Sequence, residues 1–240
     1  MAKNNARDNE RRAIAEQMRK EQARKERMRS LLILGSSVLV VLALLGTAVF
    51  VYVKDLRDDR KAAGTPLADL GVSTSAAACE PVEKEEATGN NDHTEAGQPI
   101  SYPKGPPASG PHWGNFLQGS EIRSFYTVDD RPEVELLVHS LEHGHTILWY
   151  DDTVKPGTDA YKDVQAIADK FGEGDKFMAA PWRTDDGEAF PADKHVALTH
   201  WTGPEDQEGI TQYCGAPSGA AVEKFMDDYP AGNAPEPDAP

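Results

Sequence analysis

Cysteine is scarce. The chain has two in 240 residues, Cys79 and Cys214, and no Cys-x-x-Cys pair, which argues against thiol redox chemistry. There is no serine nucleophile elbow and no glycine-rich phosphate loop, so hydrolase and nucleotide-binding readings lack their usual scaffolds. No internal repeat is found. Basic residues are scarce beyond residue 30. The first 30 residues hold ten of the 25 Lys/Arg and five of the 40 Asp/Glu, leaving 15 basic against 35 acidic residues in the remainder. A surface that acidic repels phosphate backbones, and no nucleic-acid partner is expected. Apolar residues make up 39% of the chain and the mean hydropathy is -0.58, so much of it must be solvated or irregular.

The charge asymmetry has a different meaning, because it flanks an apolar run. Residues 31–53, bounded by Leu31 and Val53, carry no charge. A stretch of that length matches the roughly 20 residues that cross a hydrocarbon core and identifies the lipid bilayer as a partner. The positive-inside rule then keeps residues 1–30 in the cytoplasm as a basic leader and places the rest outside the cell membrane. Glu16 with Lys20 and Glu21 with Lys25 support a solvated helix in that leader. A cleaved signal peptide is the rival, since Gly46-Thr47-Ala48 is a small-x-small triplet. The long charged leader and the length of the apolar run favour an uncleaved, single-pass anchor. Gly35, Ser36, Ser37 and Gly46 would let partner helices approach it closely. Export makes a Cys79–Cys214 disulfide the default. Lipidation of Cys79 suits the spacing poorly, and a catalytic thiol is disfavoured where a partner exists.

Residues 54–90 are charged and then rich in Ala, Ser and Thr without periodicity, and read as a stalk. A Pro/Gly-rich segment from His93 follows, stiffened by fixed φ at its prolines and carrying Tyr102, Trp113 and Phe116. Residues 122–128 suggest a strand and 134–141 a helix. The run from His145 to Tyr150 is apolar on both faces, as in a buried strand. Residues 158–171 form an amphipathic helix capped by Thr158 and stopped at Gly172. Residues 176–182 and 194–201 read as two strands of an antiparallel hairpin with a long loop, and 217–229 as a closing helix. The expected architecture is α+β, a small mixed sheet with two packing helices, occupying residues 91–229. Residues 230–240 read as a disordered tail.

Chemistry concentrates in the histidines. His139 and His143 lie four apart, so a helix presents both imidazoles on one face, and Gly144 supplies its stop. His93 and His112 sit in or beside the Pro/Gly loop. Neutral imidazole suits zinc and copper, and a metal held by His93, His112, His139 and His143 would tie distant loops together. Hydrogen bonding to loop carbonyls is the plainer alternative. His139-Ser140-Leu141-Glu142-His143 also fits the zinc-peptidase pattern H-x-x-E-H. That chemistry wants a long helix, however, and here Gly144 and a strand follow at once. Glu142 is therefore read as a supporting partner at the edge of the site or a salt bridge. His200 reads as a core histidine and Met178 as a gap filler.

His93 with Tyr102, the string Pro106-Pro107-Ala108-Ser109-Gly110-Pro111-His112, and the string Val138-His139-Ser140-Leu141-Glu142-His143-Gly144 resemble the signature of the bacterial domain of unknown function 3105, over residues 93–229. The resemblance implies anchoring by one N-terminal helix and brings no established activity. The basic leader, acidic ectodomain and Ala/Pro-rich tail resemble actinobacterial proteins. By analogy with such proteins, the resemblance implies an accessory subunit of a larger membrane complex, the cytochrome bcc–aa3 respiratory supercomplex. A zinc or copper metalloenzyme using the same four histidines is the alternative.

Overall fold

The computed structural model describes residues 2–87, 93–102, 104–172 and 174–239, and their side chains apart from those of 2–15 and 55–60. The chain divides into two units, one ending at Asp58 and the other beginning at Asp59. Helix α1 (Ala2–Gly64) supplies the first. Within it, residues 16–54 have a window of mean hydropathy 2.5 and bury none of that window. The 23-residue uncharged run spans about 34 Å at 1.5 Å per residue, enough for a hydrocarbon core of about 30 Å. The polar groups in this run are satisfied locally. Ser36 and Ser37 donate to the Ile33 carbonyl at 2.9 and 2.8 Å, and Thr47 donates to Leu44 at 2.8 Å. That arrangement removes the penalty for a lone hydroxyl in lipid. By length and composition the helix suits a membrane span, and a signal sequence meets the same test.

The second unit is the α+β domain expected from the sequence. It opens with a 3-10 turn (Leu67–Asp69) and a short helix α2 (Thr74–Ala77), then strand β1 (Glu83–Glu86). Two-residue strands β2 (His93–Thr94) and β3 (His112–Trp113) follow, then α3 (Val134–Glu142), β4 (Thr146–Tyr150) and α4 (Asp159–Ala168). The order closes with β5 (Phe177–Pro181), β6 (Val196–Thr202), β7 (Glu208–Cys214) and α5 (Gly219–Asp228). The main sheet runs β1-β7-β6-β4-β5, parallel between β4 and β5 and antiparallel elsewhere.

β4 lies inside the sheet because both of its faces are apolar and all five residues are buried. Alternate side chains feed two cores. Leu148 and Tyr150 join Val164, Ile167, Val222 and Phe225 beneath α4 and α5. Ile147 and Trp149 join Leu137, Val138, Leu141 and Met178 beneath α3. Met178 is a fully buried core residue. α4 is capped by Thr158, whose hydroxyl accepts from Tyr161 N at 3.2 Å. It ends at Ala168, ahead of the Gly172 stop.

Three elements differ from expectation. β5 and β6 form no hairpin, because β4 inserts between them and β6 pairs instead with β7. Pro181 in β5 suits its edge position, where one missing N–H goes unneeded. β7 escaped the sequence reading because Gly209, Thr211 and Gln212 dilute its apolar alternation. Residues 122–128 make only one bridge, Phe125 to Ala179, beside β5. Local bonds curl the segment away: Asp130 Oδ1 accepts from Thr127 N at 2.6 Å, and Tyr126 Oη donates to Glu121 O at 2.6 Å.

The ends of the domain are also built in. Residues 83–86, assigned to the stalk by sequence, form β1 against β7, while 88–92 lie outside the described residues. The tail expected to be disordered instead docks through a 3-10 turn (Ala231–Asn233), with Ala234 1% exposed. Its composition is that of a loose segment, but backbone bonds such as Glu236 N to Glu142 O at 3.0 Å hold it.

Cys79 and Cys214 form the disulfide, joining the segment before β1 to the end of β7 across 135 positions. Chain-entropy arguments assign about 4–5 kcal/mol to closing a loop of that length. Denaturant titration with and without reductant is expected to show a loss of about 3–5 kcal/mol on reduction. A loss below about 1 kcal/mol would mean that the unfolded chain is little constrained by the bond.

Candidate metal centre

α3 ends through a backbone device that fixes its last turn. His145 N donates to Ser140 O at 2.9 Å and Gly144 N donates to Leu141 O at 3.0 Å, the paired bonds of a Schellman stop. Gly144 has φ +91°, and a Cβ there would lie 2.7 Å from Ala231 O. Glycine is required twice over, by conformation and by the tail that crosses it. The stop holds Glu142 and His143 one helical turn beyond His139, next to the Pro/Gly loop.

That loop is pinned from several sides. Tyr102 Oη donates to Pro111 O at 2.9 Å, and Tyr213 Oη donates to Gly105 O at 2.8 Å. Trp113 Nε1 donates to Gln98 O at 2.8 Å. β2 and β3 then set His93 opposite His112 in parallel register. Four side chains from three chain regions converge. His93, His112, His139 and Glu142 each offer a ligand atom, and these atoms lie within 4.8 Å of one another. Around a tetrahedral ion with bonds of about 2.0 Å, ligand atoms stand about 3.3 Å apart, so a modest contraction closes the set.

The hydrogen bonds decide which nitrogens are available. His112 Nδ1 donates to Gly110 O at 2.8 Å and His139 Nδ1 donates to Trp113 O at 2.7 Å. A carbonyl can only accept, so both rings carry their proton on Nδ1 and, when neutral, present Nε2 as a lone pair. This is the tautomer and anchoring found at metal-ligating histidines. His112 Nε2 meets Glu142 Oε2 at 2.9 Å, and His93 Nε2 lies 3.4 Å from the same oxygen. A neutral His112 and an ionised Glu142 would be two acceptors in contact. A shared proton or a cation resolves the clash.

Burial makes that demand sharp. The side chains of His112 and Glu142 are fully buried, whereas that of His93 is 40% exposed and forms the rim. Burial lowers the His139 pKa to about 4, with its carbonyl bond opposing and His112 and His143 reinforcing the shift. Burial disfavours the Glu142 charge, but the His112 bond and the fields of His112, His139 and His93 outweigh it and hold the carboxyl below its ordinary range. A neutral imidazole beside a carboxylate suits a divalent cation.

Of the four predicted ligands, His93, His112 and His139 come together. His143 does not complete that set, and Glu142, expected as a supporting partner, takes the fourth place. Glu142 falls three residues after His139, with the helix and its stop turning it toward the loop. The His143 ring lies 4.5 Å from that of His139 and 5.3 Å from that of Phe116, with Nε2 3.8 Å from Glu236 Oε2. Sequence reasoning missed Glu236 because its segment reads as tail. The H-x-x-E-H helix has nine residues, too short a scaffold for the peptidase arrangement.

These features describe a small α+β domain, behind an apolar helix, with a preorganised group able to hold a metal ion. The family model described as a protein of unknown function (DUF3105) matches residues 93–240, more than half the chain, and the chain belongs to that family. The match runs through the tail as well as the histidine motifs. No curated protein and no solved structure matches the chain.

His145 and His200 are buried outside the group. Burial lowers His200 to about 4, opposed by its bond to the His145 carbonyl. Its folded-state value lies below the unfolded value of about 6.5, so the unfolded chain binds the proton more tightly. The stability linked to this group is complete above about pH 6.5 and is lost as pH falls toward 4, a total on the order of 3 kcal/mol. In chelated protein, His200→Gln is expected to reduce the slope of unfolding free energy against pH across that window by up to one proton. An unchanged slope would assign the acid sensitivity elsewhere.

Proposed function

We propose that this protein is a membrane-anchored, extracytoplasmic metal-binding accessory protein, with one divalent zinc or copper ion held by His93, His112, His139 and Glu142. The observation that carries the reading is the commitment of both His112 Nδ1 and His139 Nδ1 to main-chain carbonyls. This leaves Nε2 as the lone-pair nitrogen of each neutral ring, that of His112 against the buried Glu142 carboxylate and His139 in the same group of potential ligands. Such an arrangement has its tautomers and ring orientations set before any ion arrives. Among the described residues no cysteine belongs to the group, both being held in the disulfide, which favours a divalent ion over Cu(I).

The basic leader and the apolar run of α1 support a single-pass topology with the N-terminus in the cytoplasm. Binding is preferred to catalysis because Glu142, the one candidate base of the H-x-x-E-H pattern, is itself counted among the ligands. An accessory role beside a larger membrane complex, by the actinobacterial analogy the cytochrome bcc–aa3 supercomplex, fits a tethered domain whose motif glutamate is taken up as a ligand. Gentle detergent extraction followed by identification of co-purifying subunits tests that association, and purification as a lone chain counts against it.

Metal binding to the folded state stabilises it by about 2.7 kcal/mol at a hundredfold excess over Kd. For a unit of this size that corresponds to about 5–10 °C in Tm. Zinc or copper is expected to raise Tm by that amount in chelator-stripped wild type and to leave His112→Ala unmoved. If the variant loses the same stability with metal present as with metal removed, the histidines are structural and the metal reading fails.

A further inference from the structure

The geometry points to a centre built for two ions, with Glu142 as the bridging carboxylate and His143 and Glu236 supplying the second position. This inference rests on the metal reading of the first position and extends it. Glu142 belongs to two groups of potential ligands. The first is the His93, His112, His139 set; the second comprises Glu142, His143 and Glu236, whose ligand atoms also lie within 4.8 Å of one another.

The two oxygens of Glu142 are used unequally. Oε2 meets both His112 and His93. Oε1 is buried and has no hydrogen-bond partner among the described residues. A buried carboxylate oxygen left without a partner carries a desolvation penalty of about 1–3 kcal/mol or more, so its persistence in a pinned site calls for an occupant. A cation at the second group satisfies Oε1 while Oε2 serves the first ion, as a carboxylate does when it bridges two metals.

Glu236 is positioned for this by its backbone. Its N–H donates to the Glu142 carbonyl at 3.0 Å, which places the tail residue directly beside the end of α3. The turn before it lies over Gly144, where a Cβ would meet Ala231 O, and Lys176 Nζ donates to Ala239 O at 2.7 Å beyond it. Glu236 brings a second carboxylate to a cluster otherwise dominated by imidazoles, which a second divalent ion requires for charge balance. Its half-exposed side chain leaves the second position on the solvent side, with three protein donors and the remaining ligands left to water.

The test uses the full chain in detergent, stripped with chelator, re-equilibrated with Zn²⁺ and analysed for metal per chain after buffer exchange. Two zinc ions per wild-type chain are expected, and one in Glu236→Gln or in His143→Gln. Near-UV circular dichroism verifies the fold of each variant. With two equivalents of Cu²⁺, the wild-type paramagnetic resonance signal is expected to fall through coupling of neighbouring ions, and the Glu236→Gln signal to remain that of an isolated ion. One zinc in wild type, or two retained in both variants, overturns the bridged arrangement and leaves the first position standing. No zinc in wild type withdraws both readings.

Discussion

The contact on which the domain's chemistry depends is the meeting of His112 Nε2 and Glu142 Oε2, fully buried at 2.9 Å. Neither group could rest there if its backbone were free to move. Burial without compensation would drive the carboxyl toward its neutral form. The structure prevents that escape by fixing both partners separately. A Schellman stop with Gly144 at positive φ holds the end of α3, and a proline-stiffened loop pinned by tyrosine hydroxyls holds His112. The sheet beneath, with β4 buried on both faces, gives the helix and loop a common floor.

The apolar packing and the candidate metal centre therefore draw on different parts of the domain. The core beneath α4 and α5 contains aliphatic and aromatic side chains and the disulfide, and it needs no ion. The opposite core, beneath α3, ends at the histidine cluster, where polar groups interrupt the apolar packing. Local rules conflict with burial at that end, where imidazoles and a carboxylate are desolvated together. Conflict of this kind is expected at a functional site and out of place in a scaffold.

Much of this was readable in the residues, for identifiable reasons. The α3 helix, its glycine stop and β4 follow from periodicity and from what each residue permits the backbone. So does the convergence of His93, His112 and His139, since motifs in fixed loops have few places to go. The pairing of β6 with β7 was not readable, because strand neighbours are chosen by whole-sheet burial, and polar residues in β7 hide its periodicity. Spacing alone did not separate Glu142 from His143, because three and four residues after His139 both lie beside it on a helix. In the structure Glu142 joins the group with His93, His112 and His139, and His143 lies in a group with Glu142 and Glu236. Glu236 was hidden because tail composition carries no signal of docking; the bonds that hold it are made by the backbone.

One property of the sheet limits what the protein can meet. β1 presents Glu83, Lys84, Glu85 and Glu86, all exposed, along one border, and the segment around Phe125 lies alongside β5 at the other. The charged border disfavours an incoming strand and the other is already occupied, so neither described rim offers a template for β-augmentation. Larger assemblies would have to recognise this domain through its side chains or through its helices.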